Sequence, residues 1–431
     1  MCGGEEVAFD LVFVGFLSVA DVLVELLNAG LVRVDPLDLQ SVGQGLGEVV
    51  DLDDLIQALQ QDGDAGVDLA AAGAHDLLAE LLSLLAKLAV MSTTHQAVLI
   101  PGDGIGPAVS AAVLKILKAA NAPVAFHEHH AGLAALQDGD DVLPQSTVDA
   151  VREHHVALKG PCTTPVGKGF TSVNVQLRKK LDLYTAIRPV RSLPGVPTRY
   201  TDVDLVIFRE NTEGLYSGVE NEITAGVVTS LKIATRKACT RIAKRAFAYA
   251  QQRGRKKVTV FHKANILKLS DGLFLDCVKE VHQADYADFP YETQIIDAGC
   301  MKLVQEPTQF DVLLMENLYG DVISDLTAGL VGGLGVVPGS NIGDTDAVFE
   351  AVHGSAPDIA GKGIANPLAL LMSAVMMLNH LAESRSDQAC QKSANAIKQA
   401  YNQALDDNQK TRDLGGTLGT DQFADAVIER L

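Results

Sequence analysis

An α/β protein with a mainly parallel central sheet is the fold class that this 431-residue sequence predicts. Short apolar runs of strand length alternate with longer segments of helical period. A Gly/Pro turn joins the first such run to the first such segment. Charged residues gather just after strand-like runs, where the functional crevice of an α/β sheet lies.

Taken in order, Ala97-Val98-Leu99-Ile100 reads as a short buried strand. Pro101-Gly102-Asp103-Gly104-Ile105-Gly106-Pro107 is a tight turn, with Pro107 placed as the first helical residue, where a missing N–H costs little. Val109, Val113, Ile116, Leu117 and Ala120 then follow helical spacing. The turn suggests a dinucleotide fingerprint, but Pro107 stands where GxGxxG needs its final glycine, so a Rossmann assignment is rejected. Further strands are expected at 203–208, 257–261, 292–296 and 311–315, and helices at 236–252, 270–284, 321–330, 367–382, 387–405 and 421–430.

Apolar content of 47% and charged content of 21% fit a globular chain large enough for two or three domains. The net charge is −19, and residues 1–90, with sixteen acids against Arg33 and Lys87, carry −14 of it. The remaining −5 gives no reason to expect nucleic-acid binding. Six scattered cysteines without a CxxC pair favour reduced thiols in a cytoplasmic setting. No apolar run approaches the roughly 18 residues of a membrane span. Residues 7–32 are apolar but interrupted by Asp10, Asp21 and Glu25, unlike a secretory signal or an Arg-rich mitochondrial presequence. Three readings of residues 1–91 stay open: an over-extended start with Met91 as initiator, a loosely ordered or disordered appendage, or a regulatory or partner-binding domain.

Several separated segments carry the chemistry. Asp321 and Asp325 are four apart at a helix start, which puts both carboxylates on one face, about 5–6 Å apart at Cβ. Like charges that close call for a cation. With Asp297 they form an all-oxygen set suited to Mg²⁺ or Mn²⁺. Arg178, Arg188 and Arg209 offer planar forks for carboxylates, with Ser172 and Asn174 as smaller hydrogen-bonding groups. Metal-assisted chemistry on a polycarboxylate follows. Tyr216 can donate a proton to a carbanion if a positive neighbour lowers its pKa. Lys263, followed by Asn265, can serve as a base if a metal and other cations surround it. In the small-residue loop from His353 to Lys362, Asp358 can bind a ribose diol, and a 2′-phosphate would be repelled there. The spacing of His127, His129 and His130 does not converge on a metal.

The joint order of these motifs resembles the isocitrate/isopropylmalate dehydrogenase family. Alongside the 101–107 turn, it rests on Lys159-Gly160-Pro161, Leu177-Arg178, Leu183-Tyr184, Arg188-Pro189, Glu210-Asn211-Thr212-Glu213, His262-Lys263-Ala264-Asn265, Asn317-Leu318-Tyr319-Gly320-Asp321, His353-Gly354-Ser355-Ala356-Pro357 and Asn366-Pro367. It covers roughly 96–431. Phe170-Thr171-Ser172-Val173-Asn174 is similar to the isocitrate type, and Asp358-Ile359 to NAD-using members. The resemblance implies oxidation of isocitrate by NAD, then loss of CO₂. Arg178, Arg188 and Arg209 would hold two carboxylates, and Ser172 and Asn174 the third. Asp321 and Asp325, with Asp297 of a neighbouring subunit, would bind Mg²⁺ or Mn²⁺. Lys263, also from the neighbour, and Tyr216 would be catalytic. Thr163, Asn265, His353, Gly354, Ala356, Asp358, Ile359 and Asn366 would line the NAD site.

The implied architecture is a large α/β domain of 92–183 plus 332–431 and a small dimerisation domain of 184–213 plus 236–331. Residues 214–235 would form an intersubunit β arm, in a homodimer with shared sites that can assemble further. Alternatives are the same chemistry on 3-isopropylmalate, homoisocitrate or tartrate, and a non-catalytic regulatory subunit, against which the presence of Tyr216, Lys263, Asp297, Asp321 and Asp325 counts. Ser172 matches a position that is phosphorylated in some bacterial relatives.

Overall fold

The computed structural model describes residues 94–165 and 169–431; the readings made for residues 1–91 lie outside them. The first half contributes β1 (His95–Ile100), α1 (Gly106–Ala119), β2 (Val124–Glu128), α2 (Leu133–Gln137), α3 (Gln145–His154), β3 (Val156–Lys159), α4 (Val173–Lys180), β4 (Thr185–Arg191), β5 (Asp204–Glu210), β6 (Glu220–Thr224) and β7 (Val227–Ser230). There follow α5 (Arg236–Gln252), β8 (Val258–His262), α6 (Ser270–Asp285), β9 (Tyr291–Ile295), α7 (Ile296–Gln305), β10 (Val312–Met315) and α8 (Asn317–Val331). Last come β11 (Pro338–Ile342), β12 (Ala347–Ala351), α9 (Leu368–Arg385), α10 (Gln388–Asp406) and α11 (Thr420–Ile428).

Ten strands form one sheet in the order β2-β1-β3-β12-β11-β4-β5-β10-β8-β9. The pairings on both flanks are parallel. The central pairings β12–β11, β11–β4 and β4–β5 are antiparallel. The sheet is therefore mainly parallel, as the alternation predicts, but its middle reverses direction. That reversal sets the start of β4 against the end of β5, with Thr185 opposite Glu210 and Ala186 opposite Arg209.

Strands with helices on both faces read as continuous apolar runs because each successive side chain finds a different core. In β5, Leu205 and Ile207 enter the larger core, whereas Val206 and Phe208 pack with Phe247 of α5 and Val278 of α6. In β1, Ala97 and Leu99 face that larger core, and Val98 and Ile100 pack against α3 and α4. Helix α9 is buried along most of its length, so it lacks a polar stripe.

The expected helix at 321–330 is corrected. It begins four residues earlier, at Asn317, because the Glu316 carboxylate accepts from the backbone N–H groups of Leu318 and Tyr319 and caps it. Asp321 is thus one turn inside the helix. Residues 220–230 form a separate two-stranded antiparallel ribbon, closed at its base by paired bonds between Gly214 and Ile233.

In the 101–107 turn, Gly102 has φ +78°, and a Cβ there would lie 2.1 Å from the Pro161 carbonyl oxygen. Gly102→Ala combines left-handed strain with a backbone clash. It should cost about 2 kcal/mol or more, read as a lowered thermal midpoint.

Candidate active site

The crevice is built where β5 and β10 end beside the start of β4. Arg209, near the end of β5, is 1% exposed and donates from Nε and Nη2 to Asn317 Oδ1 at 3.0 and 2.7 Å. Its Nη1 pairs with Asp321. Its stem fits because residue 320 is glycine: a Cβ there would meet the arginine side chain at 2.5 Å. Arg188 on β4 is buried and makes no hydrogen bond or ion pair among the described residues. Burial draws its pKa down, and Arg178 adds to the effect. Burial and Arg178 likewise draw Arg209 down to about 10. Both shifts report a surplus of buried positive charge, which an anionic ligand would relieve.

Arg178 on α4 is also buried, held by Asn341 Oδ1 at 3.1 Å and Glu350 Oε1 at 3.2 Å. Glu350 in turn pairs with the buried Lys159 at 2.8 Å. Burial works to raise the Glu350 pKa, but Lys159 and Arg178 hold it well below the usual carboxylate range. Ser172 occupies the N-cap of α4 without making a side-chain cap bond, so its hydroxyl is not taken up as a cap. One buried amide atom of Asn174 has no partner among the described residues.

Asp321 and Asp325 share one face of α8. Burial pushes Asp321 up, but Arg209 and the Tyr216 hydroxyl outweigh it, and its pKa falls. Burial raises Asp325, opposed by Arg188 and aided by Asp321. A carboxylate pair with one member reluctant to ionise fits an all-oxygen divalent-cation site.

Asp297, Asp321 and Asp325 do not converge within one chain. Asp297, in the first turn of α7, pairs instead with Lys263 Nζ at 2.8 Å. Within one chain the ion-pair partner of Lys263 is this carboxylate. Its backbone N–H is held by the buried Asp271 at 2.7 Å, and Asn265 beyond it is exposed. The condition set for Tyr216, a positive neighbour that lowers its pKa, is not met in this chain. Burial raises it, and so does donation of its hydroxyl to Asp321, while Arg209, 4.9 Å from the ring centre, only partly opposes them.

On the other side of the crevice, Thr163 Oγ1 lies 2.7 Å from Ser355 Oγ, which joins Thr163 to the loop carrying His353, Gly354, Ala356, Asp358 and Ile359. His353 Nε2 is buried without a partner among the described residues, and a Cβ at Gly354 would meet nothing within 4 Å. Asp358 is exposed and Ile359 packs on the core. An orphaned imidazole nitrogen beside open backbone and a carboxylate fits a dinucleotide's amide, phosphate and ribose groups. Asn366 is differently engaged: its Oδ1 accepts from Leu368 N and its Nδ2 donates to Asp413, both at 2.9 Å.

Reading the sequence alone missed Glu350, Asn341, Asn211 and Asp103. The buried Asp103 carboxylate accepts from the N–H groups of Leu133, Ala134 and Thr163, tying three loops together. The only local signal for Glu350 was an acid inside the apolar strand Ala347–Ala351.

Fold and site together define a class: an α/β enzyme that carries three buried arginines beside paired carboxylates. A family model described as isocitrate/isopropylmalate dehydrogenase matches residues 96–427. A relative from Arabidopsis thaliana named isocitrate dehydrogenase [NAD] catalytic subunit 5, mitochondrial, is 49% identical over 81% of this chain and 92% of its own. A 3-isopropylmalate dehydrogenase, chloroplastic, from Solanum tuberosum is 53% identical over 67% of this chain and 81% of its own. The crystal structure of isocitrate dehydrogenase from Methylococcus capsulatus superposes with a TM-score of 0.74 at 46% identity, covering 78% of this chain and 99% of that one. The chain belongs to the isocitrate/isopropylmalate dehydrogenase family, a family of oxidoreductases.

The cytoplasmic placement is corrected. The Arabidopsis relative is named mitochondrial, as are relatives from Drosophila melanogaster and Homo sapiens, which favours a mitochondrial setting. Scattered free thiols indicate a reducing compartment without saying which one.

Replacing the uncompensated Arg188 should separate function from stability. Arg188→Met should raise the KM for the carboxylate substrate about 100-fold or more while leaving the thermal midpoint unchanged or higher. Glu350→Gln, which strands two buried cations, should cost about 3–5 kcal/mol of stability. Calorimetry and steady-state kinetics on both variants check the contrast.

Proposed function

We propose that this chain oxidises isocitrate with NAD and releases CO₂ to give 2-oxoglutarate. The observation that carries the reading is the buried, uncompensated positive charge of Arg188 between Arg178 and Arg209, with Ser172 and Asn174 on the neighbouring helix start. A hydroxyl and an amide suit the third carboxylate of isocitrate better than the isopropyl group of isopropylmalate. Arg178, Arg188 and Arg209 would bind and orient the other two.

When bound, Mg²⁺ or Mn²⁺ would act as a Lewis acid and NAD would take the hydride. Asp321 and Asp325, with Asp297 of a second copy, would hold the cation. Lys263 of that copy would take the proton of the substrate hydroxyl. Loss of CO₂ breaks the C–C bond and leaves its electron pair on carbon, to which Tyr216 delivers a proton from its phenol oxygen. The raised pKa of Tyr216 keeps that proton in place through the neutral range.

For the cofactor, Thr163, Asn265, His353, Gly354, Ala356, Asp358, Ile359 and Asn366 would surround NAD, with Asp358 on the ribose diol. A homodimer is the unit this reading requires. Exposed Ile223 and Val228 on the ribbon, Ile266 and Leu269 after Lys263, Met301 on α7 and Val322 beside Asp321 supply apolar surface for it. Residues 214–235 would be the intersubunit arm, 184–213 with 236–331 the dimerisation domain, and 92–183 with 332–431 the large domain.

The test is a rate assay with isocitrate, 3-isopropylmalate, homoisocitrate and tartrate, each with NAD⁺ or NADP⁺, with Mg²⁺ and after EDTA dialysis. Isocitrate with NAD⁺ should be fastest and EDTA should abolish it; faster isopropylmalate turnover would refute the substrate. No turnover by the purified chain alone would favour a regulatory subunit. Asp358→Lys with Ile359→Tyr should shift preference toward NADP⁺, by at least tenfold in the ratio of kcat/KM values.

A further inference from the structure

The geometry points to Asn341 as a positioning residue that sets the plane of the Arg178 guanidinium for the substrate carboxylate. This inference rests on the proposed role of Arg178 in binding isocitrate. Arg178 commits one edge to the protein, through Nε to Asn341 Oδ1 at 3.1 Å and Nη2 to Glu350 Oε1 at 3.2 Å. Glu350 is shared with Lys159, so it cannot define the arginine's orientation by itself. The bond at Nε adds the second anchor that fixes a planar fork, leaving the other edge for a ligand. Carboxylate recognition by arginine depends on that planarity.

Asn341 is itself fully specified. Its Oδ1 accepts a second bond, from Asn211 Nδ2 at 2.8 Å, and its Nδ2 donates to Glu350 Oε1 at 2.7 Å. With donors facing one end and a carboxylate facing the other, the amide has one satisfied orientation. All four residues of the network are at most 6% exposed. Asn341 sits on β11, opposite Ala186, and Ala186 lies opposite Arg209. Asn211 follows Arg209 by two residues, and its backbone N–H is held by the Tyr184 carbonyl at 3.0 Å. The amide of Asn341 therefore places Arg178 of α4 in the same frame as Arg209 of β5. Glu350 neutralises charge, and Asn341 supplies direction.

A double-mutant cycle on the full chain tests this, with Asn341→Leu, the milder Asn341→Ser, Arg178→Lys and both combinations. The readouts are KM for isocitrate, KM for NAD⁺, kcat and thermal midpoint. Because Arg178 would grip the carboxylate in ground and transition states alike, each Asn341 variant should raise isocitrate KM about tenfold, keep kcat within about threefold and leave KM for NAD⁺ unchanged. In the Arg178→Lys background the same variants should change isocitrate KM less than about twofold. An equal factor in both backgrounds, or a lowered midpoint with unchanged KM, would overturn the assignment and leave Asn341 as a structural residue. If Asn341→Leu does not fold, Asn341→Ser carries the cycle. Wild-type turnover of isocitrate is measured first. Its failure counts against the proposed function, and the cycle is then read on whichever acid the chain does oxidise.

Discussion

A single buried carboxylate, Glu350, is the interaction on which the crevice depends. It lies where the sheet passes from its parallel flank into its antiparallel centre, opposite Lys159 on β3 and within reach of Arg178 on α4. Removing a lysine and an arginine from water is costly, and their shared acid, backed by a hydrogen bond from Asn341, offsets that cost. The strand β12, its neighbours β3 and β11 and the helix α4 are thereby held in one arrangement. Arg178, Arg188 and Arg209 come from three different elements, so without such a frame their separations would not be defined.

Next to this balanced cluster lies a deliberately unbalanced one. Among the described residues Arg188 makes no ion pair, and Arg209 shares Asp321 with the Tyr216 hydroxyl. On the proposed reading, an anionic ligand would supply the missing counter-charge. The Arg241–Asp182 contact differs: there two guanidinium nitrogens reach one carboxylate in a bidentate ion pair.

The polar groups form two sets in each chain. Arg178, Arg188, Arg209, Tyr216, Asp321 and Asp325 gather at the strand ends, whereas Lys263 and Asp297 pair with each other beyond β8. On the proposed reading each set lacks part of the base, proton donor and oxygen ligands the chemistry needs. An assembly of two copies would complete both at once, and would give the exposed aliphatic residues of the ribbon and of α7 and α8 a surface to cover.

The alternation of apolar runs with helical periods is a local property, so it was legible in the sequence. Helix α5 falls at 236–252 as expected, and β5, β8, β9 and β10 lie within one or two residues of the expected strands. The site types were legible too, since arginines after apolar runs and acids four apart express chemistry in the order of the chain. Order along the chain carries no information about which buried charges neutralise one another. Glu350 lies 191 residues from Lys159 and 172 from Arg178, so its role exists only once the sheet is assembled. The same holds for the antiparallel centre of the sheet, the capping of α8 by Glu316, and the raised pKa of Tyr216. Each depends on burial and on a partner's position, and both are properties of packing.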